Sequence, residues 1–439
     1  QGYSSAASDV YKRQQLLFNA ADTIVVGRFA GNEALAAVGS VGSLNNMIIS
    51  LFVGLSIGVN VLVARFTGAK DAERVSETVH TAVLLSLVGG AVLAVVGFAA
   101  ARPLLEIMGS PEDVIDLAEL YIRIIFVGMP VQMLYNFCAA VLRAVGDTKR
   151  PLYILTFSGL VNVALNLFFV IVLKFGVSGV AIPTIISQYL SALLIIIHLK
   201  RMNNACRLSF RSLRIHSAEL RDILRIGLPA GIQSSLFSVS NVVIQSTVNS
   251  FGSSAMAGVA AGSNYDAYIY TCTNAISQTT MTFASQNMGA RKYSNLGRVY
   301  RHCLLITLAI GVGMGLLGMA FGDFIVGLFS DDPEVIAIGA ERLRLIMPFY
   351  FFCSLMDVAA GQLRGMGKSL APMLISLLGA CGSRILWVYL ILPLDRTLVN
   401  LFWSYPVSWA LTFAVQFAAY FIVKHRMKKN GTFDDEVPA

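Results

Sequence analysis

The chain has 439 residues, 56% of them hydrophobic and 13% charged, with a formal net charge of +8. Soluble domains carry about 25% charged residues, so this composition, with a mean hydropathy of +0.69, excludes a water-facing enzyme and a disordered chain alike. The positive charge lies in loops between apolar runs, a pattern of membrane topology and not of nucleic-acid binding.

Residues 1–13 open Gln1-Gly2-Tyr3 and stay polar until the apolar pattern starts near Gln14. This stretch resembles an adapter-derived tail and is read as non-native. A membrane span needs about 20 apolar residues. Apolar runs bounded by charges or by Gly and Pro predict twelve helices: 14–30 (shortened at its start), 35–63, 79–101, 119–142, 152–173, 178–199, 224–250, 255–288, 302–322, 341–363, 370–393 and 398–423. The expected fold is an all-α polytopic membrane protein. Pro130, Pro183, Pro229 and Pro348 fall inside or at the start of spans, where each removes a backbone donor and permits a bend. The six cysteines show no CxxC spacing and no His at ligand spacing, so neither a metal site nor a disulfide framework is expected.

Lys and Arg choose the side. Segments 65–74, 143–150, 200–225, 291–301 and 364–368 and the tail from Lys424 hold 23 of them, whereas the alternate loops hold only Arg28, Arg102, Lys174 and Arg396. The positive-inside rule places both termini and the 201–222 linker in the cytoplasm. That linker, with Arg207, Arg211 and Arg214, is expected to be solvated and to touch anionic lipid heads.

The second half repeats the first at one shift of 221 positions. Gly68-Ala69-Lys70 recurs as Gly289-Ala290-Arg291, Leu142-Arg143 as Leu363-Arg364, Gly146 as Gly367 and Pro151 as Pro372. The shift spans six crossings, an even number, so the halves are parallel repeats related by an axis along the membrane normal. This predicts two six-helix lobes, 14–200 and 223–424, joined by the basic linker 201–222 and followed by a cytoplasmic tail, 425–439. A pathway between the lobes near the midplane is expected. Helix seven opens Arg225-Ile226-Gly227-Leu228-Pro229, whose counterpart near residue 8 reads Ala7-Ser8-Asp9, so the first half-helix is expected to be missing or replaced.

Two motifs carry a family resemblance. Asp22-Thr23-Ile24-Val25-Val26-Gly27-Arg28, followed by Ala34-Leu35-Ala36-Ala37-Val38-Gly39, resembles the first-helix signature of the multidrug and toxic compound extrusion (MATE) transporters. Leu142-Arg143-Ala144-Val145-Gly146-Asp147-Thr148-Lys149-Arg150-Pro151 is similar to that family's loop after helix four, and Leu363–Lys368 to its second-half counterpart. The resemblance runs from about residue 15 to residue 425. It implies efflux of organic, often cationic compounds driven by entry of Na⁺ or H⁺, with no cofactor besides that ion. It implies drug-like small molecules and membrane lipids as partners, no nucleic acid, a monomer, and a place in the plasma or inner membrane. Asp22 matches the family's first-helix acidic residue, implicated in cation coupling. Asn162 matches the fifth-helix asparagine of the family's N-x-x-x-D pattern, Asn166 stands where that pattern has its acid, and Thr184 resembles the sixth-helix hydroxyl. Together these four form the expected H⁺ or Na⁺ site.

The residues themselves support this reading. An ionisable side chain in a span costs about 2.5–3.5 kcal/mol by insertion scales and is functional by default. Asp22, Asp266, Asp357 and Arg384 stand out on that ground. At about 1.5 Å per residue, Asp22 and Asn166 lie roughly 12 Å inside the outer face and Thr184 roughly 9 Å, so a carboxylate, an amide and a hydroxyl converge on one level. Asp266, Asp357 and Arg384 are expected to line a second-lobe cavity, with Arg384 able to pair with either carboxylate. Under the repeat Asp266 corresponds to Asn45 and Asp357 to Asn136. A flippase for a lipid-linked precursor is the alternative; it calls for several cations in the cleft.

Overall fold

A computed structural model describes residues 32–107, 112–434 and 436, with side chains from residue 48 onward apart from those near 107–113, and Val41 before it. Among the described residues there are helices and turns and no strand. In chain order they are α1 (Asn32–Gly68), α2 (Ala72–Ile107), α3 (Glu112–Ala144), α4 (Lys149–Leu167), α5 (Ser178–Arg201), α6 (Ser217–Asn249), α7 (Ser253–Gly289), α8 (Ser294–Ala320), α9 (Gly322–Gly327), α10 (Pro333–Ile346), α11 (Tyr350–Gly365), α12 (Leu370–Ser376), α13 (Ser383–Leu386) and α14 (Leu398–Lys429). The expected span 14–30 lies outside the described residues.

Nine described helices or helix pairs are long and apolar enough to cross a bilayer. Helices α6 and α7, 33 and 37 residues long, are long enough but carry too many Ser, Thr, Asn and Gln to qualify by hydropathy. Several helices overrun their expected ends. At about 1.5 Å per residue the 37 residues of α1 reach roughly 55 Å, against a hydrocarbon core of about 30 Å. Apolar runs mark only the part in lipid, and the helix continues into the charged segments beyond.

The repeat is written into the backbone. Helix α1, shifted by 221, gives the bounds of α7, and α3 gives the start of α10 and the end of α11. Lys70 and Arg291 share a positive φ of 58° and 53°, and Gly146 and Gly367 of 87° and 80°. Each is the left-handed cap that turns the chain out of a helix. The capping bonds repeat as well: Asp71 N–H donates to Phe66 O as Lys292 N–H does to Asn287 O, and Asp147 N–H to Leu142 O as Lys368 N–H does to Leu363 O.

The chain divides into two compact units, 1–227 and 228–439; the boundary falls within α6, and the linker 201–222 belongs to the first. In the first unit α3 packs on α1, α2 and α5, around Leu105, Ile122, Ile125, Phe126 and Met129. In the second, α11 packs on α7, α8 and α14, around Ile346, Met347, Tyr350, Phe402 and Trp409. Each unit also exposes large apolar side chains, among them Val92, Val95, Leu316 and Leu378, as a lipid-facing surface does.

Small residues let the helices approach. Without a strong hydrophobic drive inside lipid, close backbone contact supplies the packing energy. Gly361 and Gly365 of α11, a G-x-x-x-G pair, lie against α7, where an added Cβ would stand 2.6 Å from Ser277 O and 2.6 Å from Met281 O. Ser277 Oγ–H donates to Asp357 O at 2.7 Å across the same contact. Gly365→Leu is therefore expected to abolish accumulation of folded protein in the membrane, measured by fluorescence-detected size exclusion; an unaltered monodisperse peak would contradict this packing.

Pro348, where a bend is permitted, lies in a 3₁₀ turn, Met347–Phe349, between α10 and α11. One expectation needs correction: the linker is not simply solvated. Ser209 N–H donates to His80 Nε2 and His216 N–H to Thr81 Oγ1, both at 3.1 Å, and Arg74 bonds Glu219 at 2.9 Å. Arg207, Arg211 and Arg214 remain exposed, but the backbone that bears them is tied to α2. All six cysteines are buried and unlinked, and burial pushes the Cys206 thiol in this linker up to about 11, so it stays protonated at neutral pH.

Candidate functional site

In the first unit, α4 and α5 lie side by side and bring three of the expected residues together. Asn166 Nδ2 donates to Asn162 Oδ1 at 3.2 Å, Asn162 Nδ2 donates to Thr184 Oγ1 at 3.4 Å, and Thr184 Oγ1 donates to Val180 O at 2.9 Å. The spacing of four residues puts both amides on one face of α4, with Asn162 5% and Asn166 0% exposed. Directly after Asn166 the helix widens into a π turn, Phe168–Val172, a distortion frequent at functional sites. The result is a run of amide and hydroxyl oxygens, buried at Asn162 and Asn166 and half-buried at Thr184, a donor set suited to a small hard cation. Asp22 lies outside the described residues.

In the second unit the expected residues separate into three settings. Asp266, on α7, is bound by Arg342 of α10, whose Nη1 and Nη2 donate to the two carboxylate oxygens at 3.2 and 2.5 Å. Tyr350 Oη–H donates to the Asp266 carbonyl at 3.2 Å. The guanidinium fits because residue 262 is Gly: a Cβ there would stand 3.2 Å from Arg342 Nη1. Asp357, on α11, lies within electrostatic reach of Tyr270 and Arg364, and Arg364 Nη2 donates to Gln233 Oε1 at 2.8 Å.

Arg384 pairs with neither carboxylate. It is 4% exposed; its Nε–H donates to Ser408 Oγ at 3.0 Å, and its guanidinium lies over the rings of Tyr405 and Trp409, 4.4 and 5.4 Å from their centroids. The cause is local backbone. Residues 377–382 and 387–391 are π turns on either side of α13, and each added residue per turn rotates the following side chains. Arg384 therefore faces α14, and Asp266 takes its cation from α10.

Arg342 was not anticipated. Its signal was present: a second arginine beside Arg344 near the expected start of a span, of which one must turn inward on a helix face. Arg344 instead bonds Asp323 at the exposed end. A further cluster also escaped the sequence. Glu77, His216 and Glu219 offer ligand atoms within 4.8 Å of one another, with His216 Nδ1 3.2 Å from Glu77 Oε1, at the seam between the linker and α2. Arg74 already donates twice to Glu219, so the group is built as a latch of charges.

A family model described as MatE matches residues 14–168 and 229–390. The probable multidrug resistance protein YoeA of Bacillus subtilis (strain 168) is 28% identical over 405 residues, 90% of this chain and 88% of its own. An FAD transporter of Shewanella oneidensis is 26% identical over 328 residues, 73% of this chain and 71% of its own. Among solved structures, a MOP superfamily transporter from Pyrococcus furiosus, described by a binding pocket of reverse polarity, matches with a TM-score of 0.89 at 22% identity over 97% of this chain and 95% of that one.

Proposed function

Because this chain belongs to the MatE family, the multidrug and toxic compound extrusion transporters, we propose that it exports drug-like organic compounds, often cationic, in exchange for H⁺ or Na⁺. It is a multi-pass membrane transporter and not an enzyme. The observation that carries the coupling is the chain of oxygens through Asn162, Asn166 and Thr184, to which the Asp22 motif of the sequence adds a carboxylate. A cation entering from outside occupies this set, and the protein alternates between faces. A ligand shifts such an equilibrium only through its differential affinity for the two states, so the coupling oxygens must be arranged differently in each.

The excess of Lys and Arg on one side supports a plasma or inner membrane location with both termini in the cytoplasm, and the chain works as a monomer among its lipids. The names of the relatives extend from multidrug resistance to FAD, which supports a broad organic substrate range. The flippase alternative calls for several unbalanced cations, whereas Arg342 is paired with Asp266 and Arg364 lies near Asp357. Ethidium efflux from proteoliposomes under an imposed Na⁺ or pH gradient tests the proposal.

A further inference from the structure

The interior of the second unit is charge-unbalanced. Among the described residues, Asp266 is satisfied by Arg342 and Asp357 lies by Arg364, which leaves Arg384 as the cation with no carboxylate of its own. A guanidinium has five N–H donors and does not deprotonate in proteins. Arg384 gives one to Ser408; among the described residues the four on its terminal nitrogens meet no acceptor. It is held in place on three sides, by Ser408, by the Tyr405 face and by Trp409. Its short helical turn is set between two π turns, so the backbone is shaped to present this side chain.

We propose that Arg384 is the receptor for an anionic group, a carboxylate or a phosphate, on substrates of this transporter. The planar fork of terminal N–H groups matches either oxyanion in a way that a lysine would not. Tyr405 and Trp409 stabilise the cation through their ring faces while the site is empty of anion, which lets a buried charge persist without a permanent partner. The repeat gives this a further sense. Position 384 corresponds to Val163 and Tyr405 to Thr184, so the guanidinium stands beside the counterpart of the first-unit hydroxyl. Where the first unit gathers oxygens for a cation, the second presents a fixed cation for an anion. The proposal rests on the transporter reading and adds a substrate class to it.

The test is equilibrium binding to the purified full chain in detergent, with flavin mononucleotide and riboflavin as probes, which share a ring system and differ in a phosphate. The wild-type protein is expected to bind flavin mononucleotide at least about tenfold more tightly, the factor given by ~1.4 kcal/mol. Arg384→Gln is expected to bring the ratio near one while leaving riboflavin affinity in place, and Arg384→Lys to lower the ratio without abolishing it. A wild-type ratio near one, or a ratio unchanged in Arg384→Gln, overturns the proposal; the wild-type ratio stands even where a variant fails to fold. Binding needs no gradient. Loss of gradient-driven efflux with the ratio intact would remove cation-coupled export and leave this site, and the reverse result would remove only the site.

Discussion

Replacing Asp266 with Asn is expected to destabilise the second unit by about 3 kcal/mol, seen as a lowered midpoint of thermal unfolding in detergent. Removing one member of a buried ion pair leaves the other desolvated without compensation, which costs about 3–5 kcal/mol. The lower end applies because Asp266 retains 20% side-chain exposure, although Arg342 has only 3%. The loss belongs to the orphaned guanidinium more than to the missing carboxylate. The double variant Asp266→Asn/Arg342→Met should therefore recover most of the stability, since a buried pair is often replaced by apolar groups at little cost. Equal midpoints for the wild type and Asp266→Asn would contradict the pairing.

Asp22→Asn is the second large effect expected, this time on transport. The carboxylate of Asp22 is the one group of the expected coupling set that can change charge with its ion. Its amide neither binds a proton nor neutralises Na⁺, so gradient-driven efflux should fall by at least about tenfold, the factor given by ~1.4 kcal/mol. Asn166→Leu should reduce it too, by removing the amide that donates to Asn162 Oδ1. Protein level in the membrane is to be matched across variants. Efflux at the wild-type rate in Asp22→Asn would take this residue out of the mechanism.

The spans of the described residues, the 221-residue repeat and the family were legible because they depend on one-dimensional quantities: apolar length, loop charge and register. Residue count along regular helices put Asn166 and Thr184 at similar depth, whereas Asn162, which bonds both, came from the family resemblance. The partner of Arg384 was not legible. Choosing between Asp266 and Asp357 requires knowing which way residue 384 turns, and the π turn at 377–382 displaces it from the regular helical phase. Arg342 was hidden for a different reason: it is the second residue of the expected span 341–363, at its very edge, so it was counted among neither the loop cations nor the buried ones. The polarity of α6 and α7 similarly shows that a helix can be long enough to cross a bilayer while failing a hydropathy test, when many of its side chains are hydroxyls and amides.

Cation-coupled export is tested most directly by ethidium efflux from proteoliposomes that hold the full chain, with the H⁺ or Na⁺ gradient imposed and then collapsed by an ionophore. Efflux against the direction of cation entry, accelerated at least about tenfold by one of the two gradients and lost when that gradient is collapsed, is the expected result. Efflux at one rate with and without either gradient would contradict the account.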